Sequence, residues 1–180
     1  MIGIPLGLLY ANGLEWASHR YLQHGLGRKK SSFWAFHWHE HHRNARRFNH
    51  YDPDYRRSRI GLHAQGKETL VVALACLAHV PLLPVAPFFT GAVLGYAIHN
   101  YRVHKRAHLD PEWAKKHVPC HWDHHMGPDQ DANFCTAAPW FDIIMGTRKP
   151  YLGTERQRRD EAAAAARAQR RAAAPSGGHA

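Results

Sequence analysis

The chain is poor in cysteine. Cys76, Cys120 and Cys135 are its only three, far apart and with no CxxC pair. That count excludes a disulfide framework and fits a reducing, cytosol-facing setting. Acidic residues are also scarce, 14 Asp and Glu against 24 Lys and Arg, for a formal net charge of +10. No known nucleic-acid motif accompanies this charge and the basic residues interleave with histidines, so nucleic acid is not an expected partner. Neither HExxH nor G-x-S-x-G occurs, which removes two common hydrolytic signatures. No cytochrome-type haem segment is fused to the chain. Charge is missing altogether from Thr69 to Ile98, thirty positions without Asp, Glu, Lys or Arg.

What is present begins with apolar surface. A hydrophobic content of 44%, with six Trp, seven Tyr and seven Phe, is enough for a core and argues against disorder. The mean hydropathy of −0.52 averages over the uncharged stretch and hides it. Pro81, Pro84 and Pro87 interrupt that stretch, which predicts a helical hairpin with arms from Glu68 to about Val80 and from about Phe88 to Tyr101. Each arm would measure about 20 Å against a hydrocarbon core of roughly 30 Å, which leaves dipping as well as spanning open. A second apolar stretch, Met1 to Leu14, lacks the basic start and small-residue cleavage pattern of a signal peptide and reads as a membrane-embedded helix. Basic residues such as Arg28, Arg43, Arg46, Arg102 and Lys105 flank the apolar segments, and the positive-inside rule puts them all on the cytoplasmic face. The expected fold is therefore all-α: a helical integral membrane domain over residues 1–154, in a bacterial inner membrane, followed by an Ala/Arg-rich low-complexity tail over residues 155–180. A buried helical hairpin in a soluble protein is the alternative.

Histidine is the compositional outlier, seventeen residues where ordinary usage of roughly 2% gives about four. They cluster. His19 and His24 form HxxxxH, Phe36 to His42 is a dense second group, His104 and His108 form HxxxH, and His121, His124 and His125 form HxxHH. Helices that present such stripes inward build a metal centre in a bundle core, with imidazole here replacing most carboxylates. Nitrogen ligands suit iron, zinc, copper and nickel alike. His50, His63, His79, His117 and His179 stand outside the clusters and read as ordinary hydrogen-bonded residues.

The order of these motifs, with Asn133-Phe134 and Pro139-Trp140-Phe141-Asp142-Ile143-Ile144-Met145-Gly146-Thr147 after them, resembles the fatty acid hydroxylase / sterol desaturase superfamily of membrane di-iron enzymes. The resemblance covers Glu15 to about Thr154. It implies two metal ions on the cytosolic side of a helical membrane domain, with His19, His24, His41, His42, His104, His108, His121, His124 and His125 as ligands. The second cluster departs from the pattern because Trp38 stands three before His41, so His37 or His39 must supply the further ligand. On an α-helix His37 falls roughly 40° from His41 and 140° from His42, which favours His37. His99, five before His104, could replace a member of the third pair. Trp140 and Asp142 read as packing and capping residues.

The resemblance further implies two irons, with zinc as a contaminant on overexpression, and dioxygen-dependent attack on an unactivated C–H bond of a fatty acyl or sterol-like membrane lipid. Electrons would come from a separate ferredoxin- or cytochrome-type protein. Local similarity around His19 to Gly25 keeps a carotenoid β-ring hydroxylase open, as well as a lipid desaturase. A non-enzymatic zinc-binding membrane protein is the reading outside the superfamily.

Overall fold

The computed structural model describes residues 2–173; His179 and the end of the Ala/Arg tail lie outside the described residues. Helix α1 (Gly3–Ala17) runs unbroken into a wider π-helical segment, Ser18–Leu26, where the Gly27 N–H reaches back five residues to the Leu22 carbonyl. A second π-helical segment, His37–His42, continues into α2 (Arg43–Arg47). A 3-10 turn at Pro53–Arg56 precedes α3 (Ala64–His79), and another at Val80–Leu82 precedes α4 (Pro87–Leu109). Then come α5 (Pro111–His117), α6 (Pro119–Met126), α7 (Trp140–Ile144) and α8 (Glu155–Ala173). There is no strand among the described residues.

Prolines decide the path of the second half. Asp110 and Val118, each before a proline, leave the helical region with φ near −136° and −135°, as the proline ring requires of its predecessor. The chain therefore turns between α4 and α5 and again between α5 and α6. Ala107, Ala114, Val118 and Trp122 fill the angle between these helices. The result sets the α6 histidines against those of α4.

Helix α1 lies along α4, with Ala11, Val93 and Tyr96 buried between them and Leu8 and Phe89 at the edge. The approach is close because Gly7 has no side chain: a Cβ there would sit 2.5 Å from the Phe89 carbonyl oxygen and 2.9 Å from the Ala92 Cβ. At the far end of α1, Trp16 meets Phe134 and Cys135. Those contacts fasten the 127–139 loop over the histidines.

The expected membrane domain is not what the helices form. No helix among the described residues is long and apolar enough to cross a membrane. The hairpin itself exists, but the prolines divide the uncharged stretch between two helices. At 16 residues α3 is about 24 Å long, and it opens on Lys67 and Glu68. Helix α4 has the length, 23 residues, yet its last third carries Arg102, Lys105 and Arg106. Helix α1 has only 15 residues. With no span to orient, the positive-inside argument has nothing to act on, and the integral-membrane placement with a cytoplasm-facing site in a bacterial inner membrane is overturned. Helix α8 extends from this body with exposed i,i+4 ion pairs such as Arg156 with Asp160.

Two glycine substitutions separate close approach from simple propensity. Gly7→Val should lower stability by about 1–3 kcal/mol by forcing α1 off α4. Gly95→Ala, where an added Cβ meets nothing within 4 Å, should raise it by up to about 1 kcal/mol. Denaturant midpoints of the two variants, shifted in opposite directions from the wild type, check both.

Candidate metal centre

The structure draws the histidines into adjoining buried groups. His19, His24, His37, His42 and His124 form one, and His41, His104, His108 and His125 a second; within each, one ligand nitrogen per residue lies within 4.8 Å of the others. His121 joins the second through His108, with the two Nε2 atoms 2.9 Å apart. All ten expected ligands are buried, the most exposed being His104 at 8%. The groups touch: the His42 and His125 ring centroids are 4.4 Å apart.

The π-helical segments explain the first group. A helix closed by i→i+5 bonds has roughly 4.4 residues per turn, so residues five apart fall on nearly one face. His19 and His24 are five apart, and so are His37 and His42. His37 accordingly meets His42, Nε2 to Nε2 at 3.1 Å, and His41 turns to the second group. The α-helical angles used above paired His37 with His41 instead. His39 lies outside both groups with its Nε2 at the Arg28 carbonyl, and His99 is exposed.

Outward hydrogen bonds fix the rings. His19 Nδ1 donates to the Phe134 carbonyl, His124 Nδ1 to that of Ala132 (2.7 Å) and His108 Nδ1 to that of His50 (2.7 Å). A carbonyl only accepts, so each Nδ1 carries the proton and each Nε2 of the neutral ring keeps a lone pair. Side chains do the same for four others: Asp131 for His24 (3.2 Å), Asp52 for His41 (2.8 Å), Gln130 for His42 (2.9 Å) and Glu68 for His104 (2.6 Å). Outward Nδ1 donation that frees Nε2 is the usual support of a metal-binding histidine.

The lone pairs then face one another. Nε2 separations are 2.9 Å for His19 and His37, 3.2 Å for His24 and His124, and 3.1 Å for His42 and His124. Two nitrogens on adjacent positions of an ion with bonds of about 2.1 Å sit about 3.0 Å apart. His41 Nε2 and both His125 nitrogens are buried without a partner. Orphaned and opposed acceptors of this kind fit a bound cation, so the centre is compatible with metal, and the nitrogen donors leave the element open.

Electrostatics agree. Burial, and after it the charge of neighbouring histidines, holds His37, His108, His121 and His125 well below the ordinary imidazole range. Burial does the same to His19, His24, His42 and His124 and takes His50 down to about 3. His104 is the exception: burial is the largest influence and opposes its charge, but the carboxylates around it, Glu68 first and then Glu15 and Asp52, together raise its pKa.

The loop from Gln130 to Phe134 supplies four of the outward acceptors, and Asp142 holds that loop. Its carboxylate accepts from the Phe134 and Cys135 N–H groups, both at 2.8 Å, and from the Thr147 hydroxyl at 2.7 Å. Trp140 is largely exposed. Asp123, between His121 and His124, accepts from the Leu152 N–H and from Arg148 and so fixes α6. Sequence reasoning missed Asp52, Glu68, Gln130 and Asp131, because their partners lie 11 to 107 residues away and no local pattern marks them. It also placed His50 among ordinary residues. His50 is fully buried beside the second group, and its isolation in sequence gave no sign of this.

Comparison with family models, with curated proteins and with solved structures finds no match to this chain. The superfamily resemblance therefore stands on the motif residues alone.

Removing the negative charge of an outward acceptor while keeping its shape, in Asp52→Asn or Glu68→Gln, should weaken metal binding by roughly 10-fold or more. Competition with a chromophoric chelator reads the loss. A second expectation concerns acid. The histidines with lowered pKa stay neutral in the fold and take up protons when unfolded, so stability is retained above about pH 6.5 and lost below it, by about 1.4 kcal/mol per pH unit for each group. Melting of the metal-free protein from pH 8 to pH 5 should show a steep fall below 6.5, and a flat profile would contradict the neutral-ring assignment.

Proposed function

We propose that the protein is a dioxygen-dependent hydroxylase that uses two histidine-bound irons to oxidise an aliphatic position of a lipid-like substrate. The observation that supports this reading is the meeting of the histidine centre with an apolar cleft. The cleft lies between α1, α3 and α4, is walled by Leu14, Val71, Val72, Ala75, Val93 and Ala97, and counting its open mouth encloses about 930 Å³. His37 lies at its lining with Tyr55 and Glu68, so a hydrocarbon chain in the cleft would end against the first histidine group.

The chain's own residues then have definite tasks. The apolar wall takes the hydrocarbon out of water and excludes solvent from the reacting carbon. Glu15 closes one side: its carboxylate is engaged by the Tyr96 hydroxyl, the Asn100 amide and the Thr136 N–H, so its oxygens face hydrogen-bond donors of the chain. Tyr55 donates to Glu68, which receives the His104 Nδ1–H. One carboxylate thus ties the cleft wall to a ligand. Bound metal supplies what side chains lack, the redox chemistry of dioxygen activation with two external electrons. Zinc would fill the same nitrogen set on overexpression without that chemistry. The exposed basic residues Arg28, Lys29 and Lys30 suit an acidic ferredoxin- or cytochrome-type donor.

The test is turnover with labelled oxygen. Protein loaded with ferrous iron, supplied with a one-electron donor system and ¹⁸O₂, should yield a hydroxylated product carrying the label from acyl, sterol or carotenoid substrate. Iron-loaded protein whose dioxygen consumption does not respond to any of the three would overturn the hydroxylase reading in favour of structural metal.

A further inference from the structure

His50 is not part of any histidine motif, yet it is the residue the backbone strains to place. Asn49 and His50 both adopt the left-handed region, at φ 53° and 75°, which is uncommon for any residue but glycine. The turn is stitched to α4. The His50 carbonyl accepts from His108 Nδ1 (2.7 Å), its own Nδ1 donates to the Ala107 carbonyl (3.2 Å), and the Asp52 N–H donates to the His108 carbonyl (3.1 Å). The ring is stacked between His108 at 4.6 Å and Trp122 at 4.8 Å, nearly parallel to both. With Nδ1 carrying the proton, Nε2 keeps its lone pair, and that atom is buried with no partner. His50, His108 and His121 each offer a ligand nitrogen within 4.8 Å of the other two, and His121 Nδ1 is a further buried atom without a partner.

We propose that His50 is a metal ligand, forming with His108 and His121 a three-histidine seat for a divalent cation beside the seat of His41, His104 and His125. His108 has one free nitrogen, Nε2, because its Nδ1 is taken by the His50 carbonyl, and both seats draw on it. They therefore hold one ion between them, and the His50 seat is where His121 takes part. A turn selected only for its shape would carry glycine at position 50, which adopts positive φ without strain. A buried histidine there, with its second nitrogen without a partner and a ligand nitrogen within 4.8 Å of those of two other histidines, has what a ligand requires. The assignment rests on the two-ion reading of the centre.

Cobalt(II) titration of the metal-free protein tests it, through the visible d–d bands and the affinity of each equivalent. His50→Phe keeps a stacking ring but no nitrogen, and His50→Gly relieves the backbone. Both variants should leave the first equivalent unchanged, alter the spectrum of the second and weaken it by roughly tenfold or more. If the phenylalanine variant binds both equivalents with wild-type spectra, His50 only stacks and the proposal falls. If the glycine variant melts lower and loses both equivalents together, His50 is a packing residue and the proposal falls as well. A wild type that takes up only one equivalent overturns the two-ion reading itself, and this assignment with it.

Discussion

Imidazole lone pairs buried face to face are the constraint on which the rest of this structure depends. The Nε2 atoms of His19, His24, His37, His42, His108, His121 and His124 are shut off from water and face one another at 2.9 to 3.2 Å, and those of His41 and His125 are buried with no partner at all. An unpaired acceptor in a dry interior is costly, and two opposed acceptors add repulsion. Protonation would satisfy one of them, but burial and the neighbouring histidines push the pKa values the other way. A cation would relieve the whole set at once, and its binding would itself become folding free energy.

The surrounding chain can be understood as the means of holding that arrangement. Proline-directed turns bring α4 and α6 together. The π-helical segments bring residues five apart onto one face, and Asp142 anchors the loop whose carbonyls and side chains receive the outward Nδ1 protons. Three carboxylates, Asp52, Glu68 and Asp131, reach histidines of both groups. Each contact fixes a ring's tautomer as well as its direction. The centre is thus defined before any ion arrives, on helices and not on free loops, which is the form of support a metal site needs.

The histidine motifs were legible because spacing survives translation into structure: HxxxxH and HxxxH each placed both members in one group, and HxxHH divided its members between the two adjoining groups. What spacing could not convey was the helix type. An α-helical wheel sets His37 beside His41, whereas the π turn sets it beside His42. The uncharged stretch from Thr69 to Ile98 did become a hairpin, but its prolines left one arm too short, and the other arm extends into Arg102, Lys105 and Arg106, so neither is long and apolar enough to cross a membrane. The outward acceptors and His50 were invisible for a simpler reason. They find their histidines through tertiary contact, and a lone residue carries no periodicity.

The proposed function requires two metal ions per chain in the histidine centre. Anaerobic titration of the metal-free protein with ferrous iron, followed by desalting and elemental analysis with protein quantified by amino-acid hydrolysis, measures the number directly. The account predicts close to two irons retained per chain, falling when His124 or His125 is replaced by alanine. Retention of one iron, or of none, in a protein that keeps its helical circular dichroism would contradict it.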